Sequence, residues 1–306
     1  MPHRAARVAA TLAGAAAAGA LAQALHSPLP WMIGPLLATA LASSLGVPTA
    51  ASHVLRNVGQ WIIGTSLGLY FTPEVVAVVA RLAPAIALGV VWALLLGHGF
   101  YRFLEWTERA RPLKPGTAYF AAAIGGASEM ALLAERNGAQ VDRVAAAHSL
   151  RVLLVVVLIP FSYQALGVHG ADLSVAAIHT VHPVGLAGLL AATAAGGAVM
   201  QVLKVPNPWV LGALAVCMVL TGSGVEWSAL PRPLSQAAQV AIAVTLGVRF
   251  TPESLRAAPR WLGAVALGTL AMVAVSAGFA AALAWATGLH PATVLLATSP
   301  GGMAEM

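Results

Sequence analysis

The sequence predicts an all-α, polytopic membrane protein of the transporter-like kind, built from two tandem transmembrane repeats that contain glycine-broken helices. Of its 306 residues, 59% are hydrophobic and only 8% are charged, and the mean hydropathy is +0.84. Apolar stretches of about 17 to 25 residues recur along almost the whole chain, each long enough to cross roughly 30 Å of hydrocarbon as a helix. A chain of this composition needs lipid as its solvent.

Three sequence blocks occur twice, in the same order. Trp31 to Leu36 returns as Trp209 to Leu214, Gln60 to Glu74 as Gln239 to Glu253, and Gly125 to Met130 as Gly301 to Met306. Each second occurrence follows the first at a nearly constant offset, and chance does not preserve such spacing. We therefore expect a first membrane repeat at 1–167, a linker at 168–182 and a second repeat at 183–306. Because the second copy stops before a counterpart of the first copy's last helix, we expect either a truncated chain or a member that lacks this helix.

The candidate spans of the first copy are 8–25, 31–45, 58–70, 75–100, 118–133 and 144–166. The first can be read as a secretory signal, but it leads directly into further spans, which favours a transmembrane helix. The second span follows Pro30 and begins with Trp31. We interpret these residues as a helix start and an interfacial anchor, because proline suits the first turn of a helix and tryptophan is enriched at the membrane interface. The fourth follows Thr72-Pro73-Glu74, which reads as an N-cap, a first helical residue and an acid in the first turn.

The second copy offers spans at 184–203, 209–220, 237–248, 261–286 and from 292 onward. The basic residues predict how both copies lie in the membrane. The charges at Arg4, Arg7, Arg102, Arg109, Arg111 and Lys114 place the N-terminus and one later loop in the cytoplasm. In the second copy the charges fall on the opposite faces, at Lys204, Arg249, Arg256 and Arg260. The two copies are therefore predicted to be inverted.

Inversion requires an odd number of crossings per repeat, so one of the six segments in the first copy must not cross fully. We favour the segment that holds Gly125-Gly126 as the one that dips in and returns. A broken helix that crosses, with another short segment failing to span, stays open. Inverted repeats with interrupted helices at matching positions are typical of secondary transporters, whose substrate site lies where the interruptions meet. The link between this architecture and transport is an analogy with other membrane proteins.

Two carboxylates, Glu129 and Glu305, lie within apolar segments, each three residues after a glycine pair. An acid inside a membrane is costly and is by default a functional candidate. The pairs Gly125-Gly126 and Gly301-Gly302 let the backbone leave helical geometry and expose groups that can face an ion or a substrate. The predicted ion or substrate site therefore comprises Gly125, Gly126, Ser128, Glu129, Gly301, Gly302 and Glu305. The alternative is that each acid caps a half-helix or pairs with an arginine.

Four further polar residues complete the predicted site. His148 and Arg151 are three residues apart on one helical face, where Arg151 can pair with Glu129 or bind a substrate anion. A purely structural ion pair is the other interpretation. Gln60 and Gln239 can line a polar pathway or can hydrogen-bond between helices.

Other functions are disfavoured by composition. The sixteen Lys and Arg residues are scattered singly between apolar segments, which indicates topology signals and no nucleic-acid partner. The single cysteine, Cys217, provides no disulfide framework, and the histidines show no metal-ligand spacing. We expect no cofactor beyond a coupling ion, H⁺ or Na⁺, and the expected partners are the lipid bilayer and a small solute. Association with further copies of the chain stays open.

These blocks, together with Gly59-Gln60-Trp61, resemble the bacterial membrane AbrB-duplication family over essentially the whole chain. The family is distinct from the small soluble DNA-binding proteins that share its name. The resemblance implies the fold and a location in the bacterial inner membrane. Its members are often labelled transcriptional regulator or ammonia monooxygenase, but a monooxygenase needs a cluster of metal ligands and a direct regulator needs a DNA-reading module. We therefore expect an ion-coupled transporter and no enzyme, with a membrane regulator that acts through a partner as the alternative.

Overall fold

The structure is a computed structural model that describes residues 2–110, 113–167, 180–225, 227–252 and 258–300. Within these ranges the chain is all-helical and contains no strand, which confirms the predicted fold class. The helices of the first copy are α1 (Pro2–Ala24), α2 (Pro30–Ser44), α3 (His53–Gly68), α4 (Pro73–Arg81), α5 (Ala83–Thr107), α6 (Thr117–Ala122), α7 (Ala127–Arg136) and α8 (Val141–Ala165). Those of the second are α9 (Pro183–Val202), α10 (Pro208–Gly222), α11 (Arg232–Gly247), α12 (Pro259–Thr287) and α13 (Pro291–Thr298).

Among the described residues, five helices are long and apolar enough to cross a membrane: α1, α5, α8, α9 and α12. A sixth span is possible by length if α3 and α4, which meet at a bend of 83°, form one broken crossing. Large apolar side chains on these helices are exposed, among them Leu94 at 71%, Val184 at 87% and Trp285 at 90%. Apolar surface on this scale belongs against lipid, because soluble monomers rarely expose large contiguous apolar patches.

The single span predicted at 75–100 is wrong. The structure ends α4 at Arg81 and begins α5 at Ala83, with Leu82 between them. The start of α4 is as predicted: Thr72 is the N-cap, its Oγ1 accepts a hydrogen bond from the Val75 N–H, and Pro73 is the first helical residue. The helix that holds Gly125-Gly126 is interrupted there, as the sequence predicts.

The chain forms two compact units. The first unit is Met1–Thr39, Thr49–Ala83 and Ala171–Gly247, and the second is Ala40–Pro48, Pro84–Gly170 and Val248–Met306. Apart from α2, which contributes to both, the first unit holds α1, α3, α4 and α9–α11, and the second holds α5–α8, α12 and α13. Each unit therefore takes helices from both sequence copies. The repeat boundaries at 167 and 183 concern sequence copies and stay a prediction.

Helices of the two copies pack reciprocally in the first unit. α1 packs against α11 and α9 packs against α3, and the repeat offset makes each of these pairs the counterpart of the other. Where α3 meets α11, a methyl group on Gly59 would lie 2.8 Å from the Ala238 carbonyl oxygen. These two residues are themselves equivalent positions, because each directly precedes the glutamine that opens the second repeated block. A contact of a position with its own equivalent is expected on an approximate two-fold axis.

Small residues set the close approaches of these helices. A methyl group on Gly64 of α3 would lie 2.5 Å from the Val210 carbonyl oxygen of α10, and one on Gly68 would overlap the Cys217 side chain. Backbones that approach this closely gain van der Waals contact. This contact drives helix association in a membrane, because lipid tails are as apolar as the side chains and the hydrophobic effect does not favour burying one helix against another.

The second unit is built around a cluster of buried apolar side chains from α5, α8 and α12. Phe100 and Leu104 of α5 pack with Val144 of α8 and with Trp261 and Val265 of α12. Short helices α6 and α7 pack on α8, and α13 packs on α12. The half-helices therefore sit on long helices that are themselves held by a buried core.

Candidate functional site

The interruption in the first copy leaves the carboxyl end of a half-helix inside the second unit. Helix α6 ends at Ala122, the backbone of Ala123 turns to φ −54° and ψ 135°, and α7 begins at Ala127 after an extended Gly126. The last carbonyls of a helix have no partner within it. At α6 they need partners from elsewhere, because Ala121 and Ala122 are buried.

Arg151 of α8 supplies those partners. One of its terminal nitrogens, Nη1, donates to the carbonyl oxygens of Ala121 and Ala122 at 3.3 Å each, and the other, Nη2, donates to that of Ala123 at 2.9 Å. The side chain is only 3% exposed. A guanidinium is suited to this place, because its charge complements the negative end of a helix and its fork reaches several acceptors at once.

His148, one turn earlier on the same helix, completes the cap. Its Nε2 lies 2.8 Å from the Phe120 carbonyl oxygen and its Nδ1 lies 2.9 Å from Arg151 Nη2. A carbonyl can only accept and a guanidinium can only donate, so Nε2 carries the proton and Nδ1 is the acceptor. The imidazole is fully buried and, with this pattern, neutral. The two residues share one face, as predicted, and their described contacts are those of a helix cap.

The second copy has a corresponding half-helix with a different cap. Helix α13 ends at Thr298, the position equivalent to the end of α6 in the repeat. Its Thr298 carbonyl oxygen accepts from Ser276 Oγ of α12 at 3.3 Å, and Ser276 Oγ accepts in turn from Trp92 Nε1 of α5 at 3.3 Å. A neutral hydroxyl therefore stands at this carboxyl end, where the first copy places a charged guanidinium.

Several predicted residues lie outside the described part of the chain. Gly301, Gly302 and Glu305 belong to residues 301–306, and the side chains of Ser128 and Glu129 are also outside it, although their backbone is helical in α7. A pair between Glu129 and Arg151 therefore stays a prediction. Gly125 and Gly126 lie in the break itself.

Gln60 and Gln239 lie in the first unit, each one residue after the close contact between Gly59 and Ala238. Gln60 is 4% exposed, and its Nε2 donates to Asn207 Oδ1 at 3.4 Å. This contact joins α3 to the start of α10, which fits the interpretation that Gln60 hydrogen-bonds between helices. Gln239 is half-buried.

A buried polar cluster in the first unit was not predicted from the sequence. Trp61 Nε1 donates to Thr193 Oγ1 at 2.9 Å, and Thr65 Oγ1 lies 3.0 Å from the same oxygen. Thr193 and Thr65 are both fully buried. Neither the two threonines nor the indole nitrogen indicates a polar cluster from the sequence alone. The cluster exists only because α3 and α9 pack together and bring the three side chains into contact. In the described part of the chain, no group of three or more His, Cys, Asp or Glu residues could hold a metal ion.

Comparison with known proteins gives one family. The family model described as "Transition state regulatory protein AbrB" matches residues 31–306. The chain is 27% identical over 288 residues to the "Putative regulator AbrB" of Escherichia coli strain K12, covering 92% of this chain and 80% of that protein. It is 28% identical over 326 aligned positions to the "Uncharacterized protein YhjN" of Bacillus subtilis strain 168, covering 96% and 82%. No solved structure matches it.

Proposed function

This chain belongs to the AbrB family, and from that premise we propose that it is an ion-coupled secondary transporter, or permease, for a small solute in the bacterial inner membrane. The observation that carries the proposal is the pair of half-helices. Helices α6 and α13 end at equivalent positions of the two copies, each just before a glycine pair. Discontinuous helices at corresponding positions of two repeats are the usual framework of a transporter's binding site.

The packing of the first unit supports the same proposal. Reciprocal contacts of α1 with α11 and of α9 with α3 fit repeats related by a two-fold axis, as in many transporter folds. If the copies are also inverted across the membrane, as the basic residues predict, the axis lies in the membrane plane. Arg4 and Arg7, by the excess of basic residues on the cytoplasmic side, favour a cytoplasmic N-terminus.

The different caps of the two half-helices suggest which half-helix binds the coupling ion and which binds the solute. The guanidinium of Arg151 already occupies the carboxyl end of α6, so a further cation there would be repelled. At the carboxyl end of α13 the Thr298 carbonyl oxygen accepts from the neutral hydroxyl of Ser276, and no guanidinium takes the place that Arg151 has in the first copy among the described residues. In this proposal Glu305 and the end of α13 hold the coupling H⁺ or Na⁺. Glu129, which follows the end of α6 that Arg151 caps, contributes to binding the solute.

Uptake by reconstituted protein tests the proposal. The full chain in proteoliposomes is given an inward pH or Na⁺ gradient and a panel of labelled organic acids, amino acids and amines. We expect gradient-dependent uptake of at least one compound, lost in Glu129→Gln and in Glu305→Gln. Glu135→Gln is the matched control, because Glu135 is an exposed acid on the same helix, α7. Absent uptake across the panel, or full uptake with both acids changed, contradicts the proposal.

A second candidate is favoured by the family description and by the name of the relative from Escherichia coli. In it the chain is a membrane-embedded regulator that changes gene expression through a partner protein, with the basic segment 102–114 as the docking surface. Deletion of the gene discriminates the two. Altered transcripts with no altered solute flux favour the regulator, whereas altered flux that precedes any transcript change favours the transporter. In both cases we propose no catalytic role and no direct contact with nucleic acid.

A further inference from the structure

A cavity of about 400 Å³ opens in the second unit, beside the end of α5 and the start of α6. Most of its described lining is polar or aromatic. The lining includes Tyr101, Arg102, Glu105, Trp106, Glu108, Arg109, Lys114 and Tyr119. It belongs to neither interrupted helix end, so it is separate from the candidate transport site.

Its cations are only partly matched by acids. Arg102 Nη1 lies 3.5 Å from Glu105 Oε2, and Glu105 Oε1 also accepts from the Tyr101 hydroxyl at 2.6 Å. Arg109 and Lys114 make no ion pair with the described residues. Both residues line the cavity and are exposed to solvent. Two positive charges are therefore left to attract an anion.

One wall of the cavity holds a buried acid. Glu108 is 7% exposed, and its Oε2 lies 3.7 Å from Arg143 Nη1. Its other oxygen, Oε1, is buried, so a ligand in the cavity does not reach it. The charge of Glu108 is therefore matched by Arg143 and does not offset the cations of the cavity.

We propose that this cavity binds the headgroup of an anionic phospholipid of the phosphatidylglycerol type. Arg109 and Lys114 hold the phosphate. Because neither cation pairs with an acid among the described residues, the cavity selects a headgroup of net negative charge over a zwitterionic one.

The position of the cavity argues for a lipid as the source of this chemistry. It lies at the end of α5, a helix long and apolar enough to cross the membrane. Trp106 and Tyr119 on its rim are 60% and 59% exposed, and exposed Trp and Tyr are enriched at the membrane interface. The same segment is predicted to face the cytoplasm, where basic pockets between helices bind anionic headgroups.

Binding to three lipids tests the inference. The purified full chain in detergent is titrated with short-chain phosphatidylglycerol, phosphatidylmethanol and phosphatidylcholine, and bound lipid is counted by native mass spectrometry. Phosphatidylmethanol has the same charge as phosphatidylglycerol but no headgroup hydroxyl, so it separates the contribution of the charge from that of the hydroxyls. We expect phosphatidylglycerol and phosphatidylmethanol to bind with similar affinity and phosphatidylcholine to bind clearly more weakly.

Variants locate the binding. R109Q/K114Q should bind phosphatidylglycerol about 25-fold more weakly, since each basic side chain near an anionic surface contributes roughly fivefold. Arg81→Gln, a change of an exposed cation at the end of α4, is the matched control and should bind as the wild type does. Both altered residues are exposed, so melting without lipid should be unchanged.

Three results would overturn the inference. The first is equal affinity for all three lipids, and the second is unchanged affinity in R109Q/K114Q. The third is full competition by soluble glycerol 3-phosphate at the lipid's own concentration, which would assign the cavity to a soluble solute. None of these results depends on whether the protein transports a solute.

Discussion

Replacing Arg151 by leucine removes the cap of α6, and its cost can be worked from the hydrogen bonds. The guanidinium donates to three carbonyl oxygens at 2.9 to 3.3 Å, and each bond to a charged donor contributes about 1.5–3 kcal/mol. Burying the charge offsets several kcal/mol of this sum. Because the variant leaves buried carbonyls unpaired, we expect a net loss of about 3–5 kcal/mol.

Two measurements separate this cap from a general loss of packing. Denaturant unfolding in detergent gives the apparent stability, and hydrogen exchange of peptides that cover 117–126 reports the half-helix itself. We expect faster exchange in this segment in Arg151→Leu, and about half the destabilisation in Arg151→Lys, because an ammonium keeps the charge but loses the fork. Arg102→Gln is the control: Arg102 is 65% exposed, makes one surface ion pair, and should cost at most about 0.5 kcal/mol.

Arg151 does not stabilise α6 as a cap if Arg151→Leu stays folded, loses less than about 1 kcal/mol and shows unchanged exchange in the half-helix. That result would mean that the carbonyls of α6 find other partners at little cost. A large loss of stability with unchanged local exchange would also contradict it, since the stabilisation would then lie elsewhere on α8.

Three further substitutions test the packing and the polar clusters, each by unfolding in detergent. Gly64→Ala places a methyl group 2.5 Å from the Val210 carbonyl oxygen and should cost about 1–3 kcal/mol, whereas Gly14→Ala, where nothing lies within 4 Å, should be neutral or stabilising. Thr193→Val takes the acceptor from Trp61 Nε1, while the Thr65 hydroxyl keeps the Trp61 carbonyl oxygen as its acceptor, and it should cost about 1–3 kcal/mol; equal stability would show that water replaces the hydroxyl. Ser276→Ala removes a neutral cap and should cost about 1 kcal/mol, clearly less than Arg151→Leu, and a larger cost would reverse the ranking of the two caps.

Helix starts could be predicted from the sequence because their determinants are local. A threonine followed by a proline fixes the start of α4 at Pro73, and Pro208 fixes that of α10. The division between α4 and α5 also has local determinants, which the span predicted at 75–100 passed over. Arg81 interrupts the apolar run, and Pro84 favours the end of one helix and the start of the next just before it.

The cap of α6 shows a limit of sequence reasoning. His148 and Arg151 stand out as polar residues in an apolar helix, and their shared face follows from their spacing. Their partners, however, are backbone carbonyls far back along the chain, and a carbonyl has no residue identity to signal it. A side-chain pair such as Arg151 with Glu129 is therefore the partner that a sequence suggests first.

The two copies share their apolar packing and differ in their polar groups. In the first copy Trp31 packs on Gly19, and in the second Trp209 packs on Gly197, so the same contact recurs at equivalent positions of the repeat. Their hydrogen bonds are unlike, because Trp31 Nε1 donates to Gln23 while the buried Trp209 Nε1 has no partner among the described residues. The half-helix caps differ likewise, with a guanidinium in one copy and a hydroxyl in the other. The repeated blocks therefore encode how the helices pack, and any chemistry that distinguishes the two halves has to come from the polar residues that do not repeat.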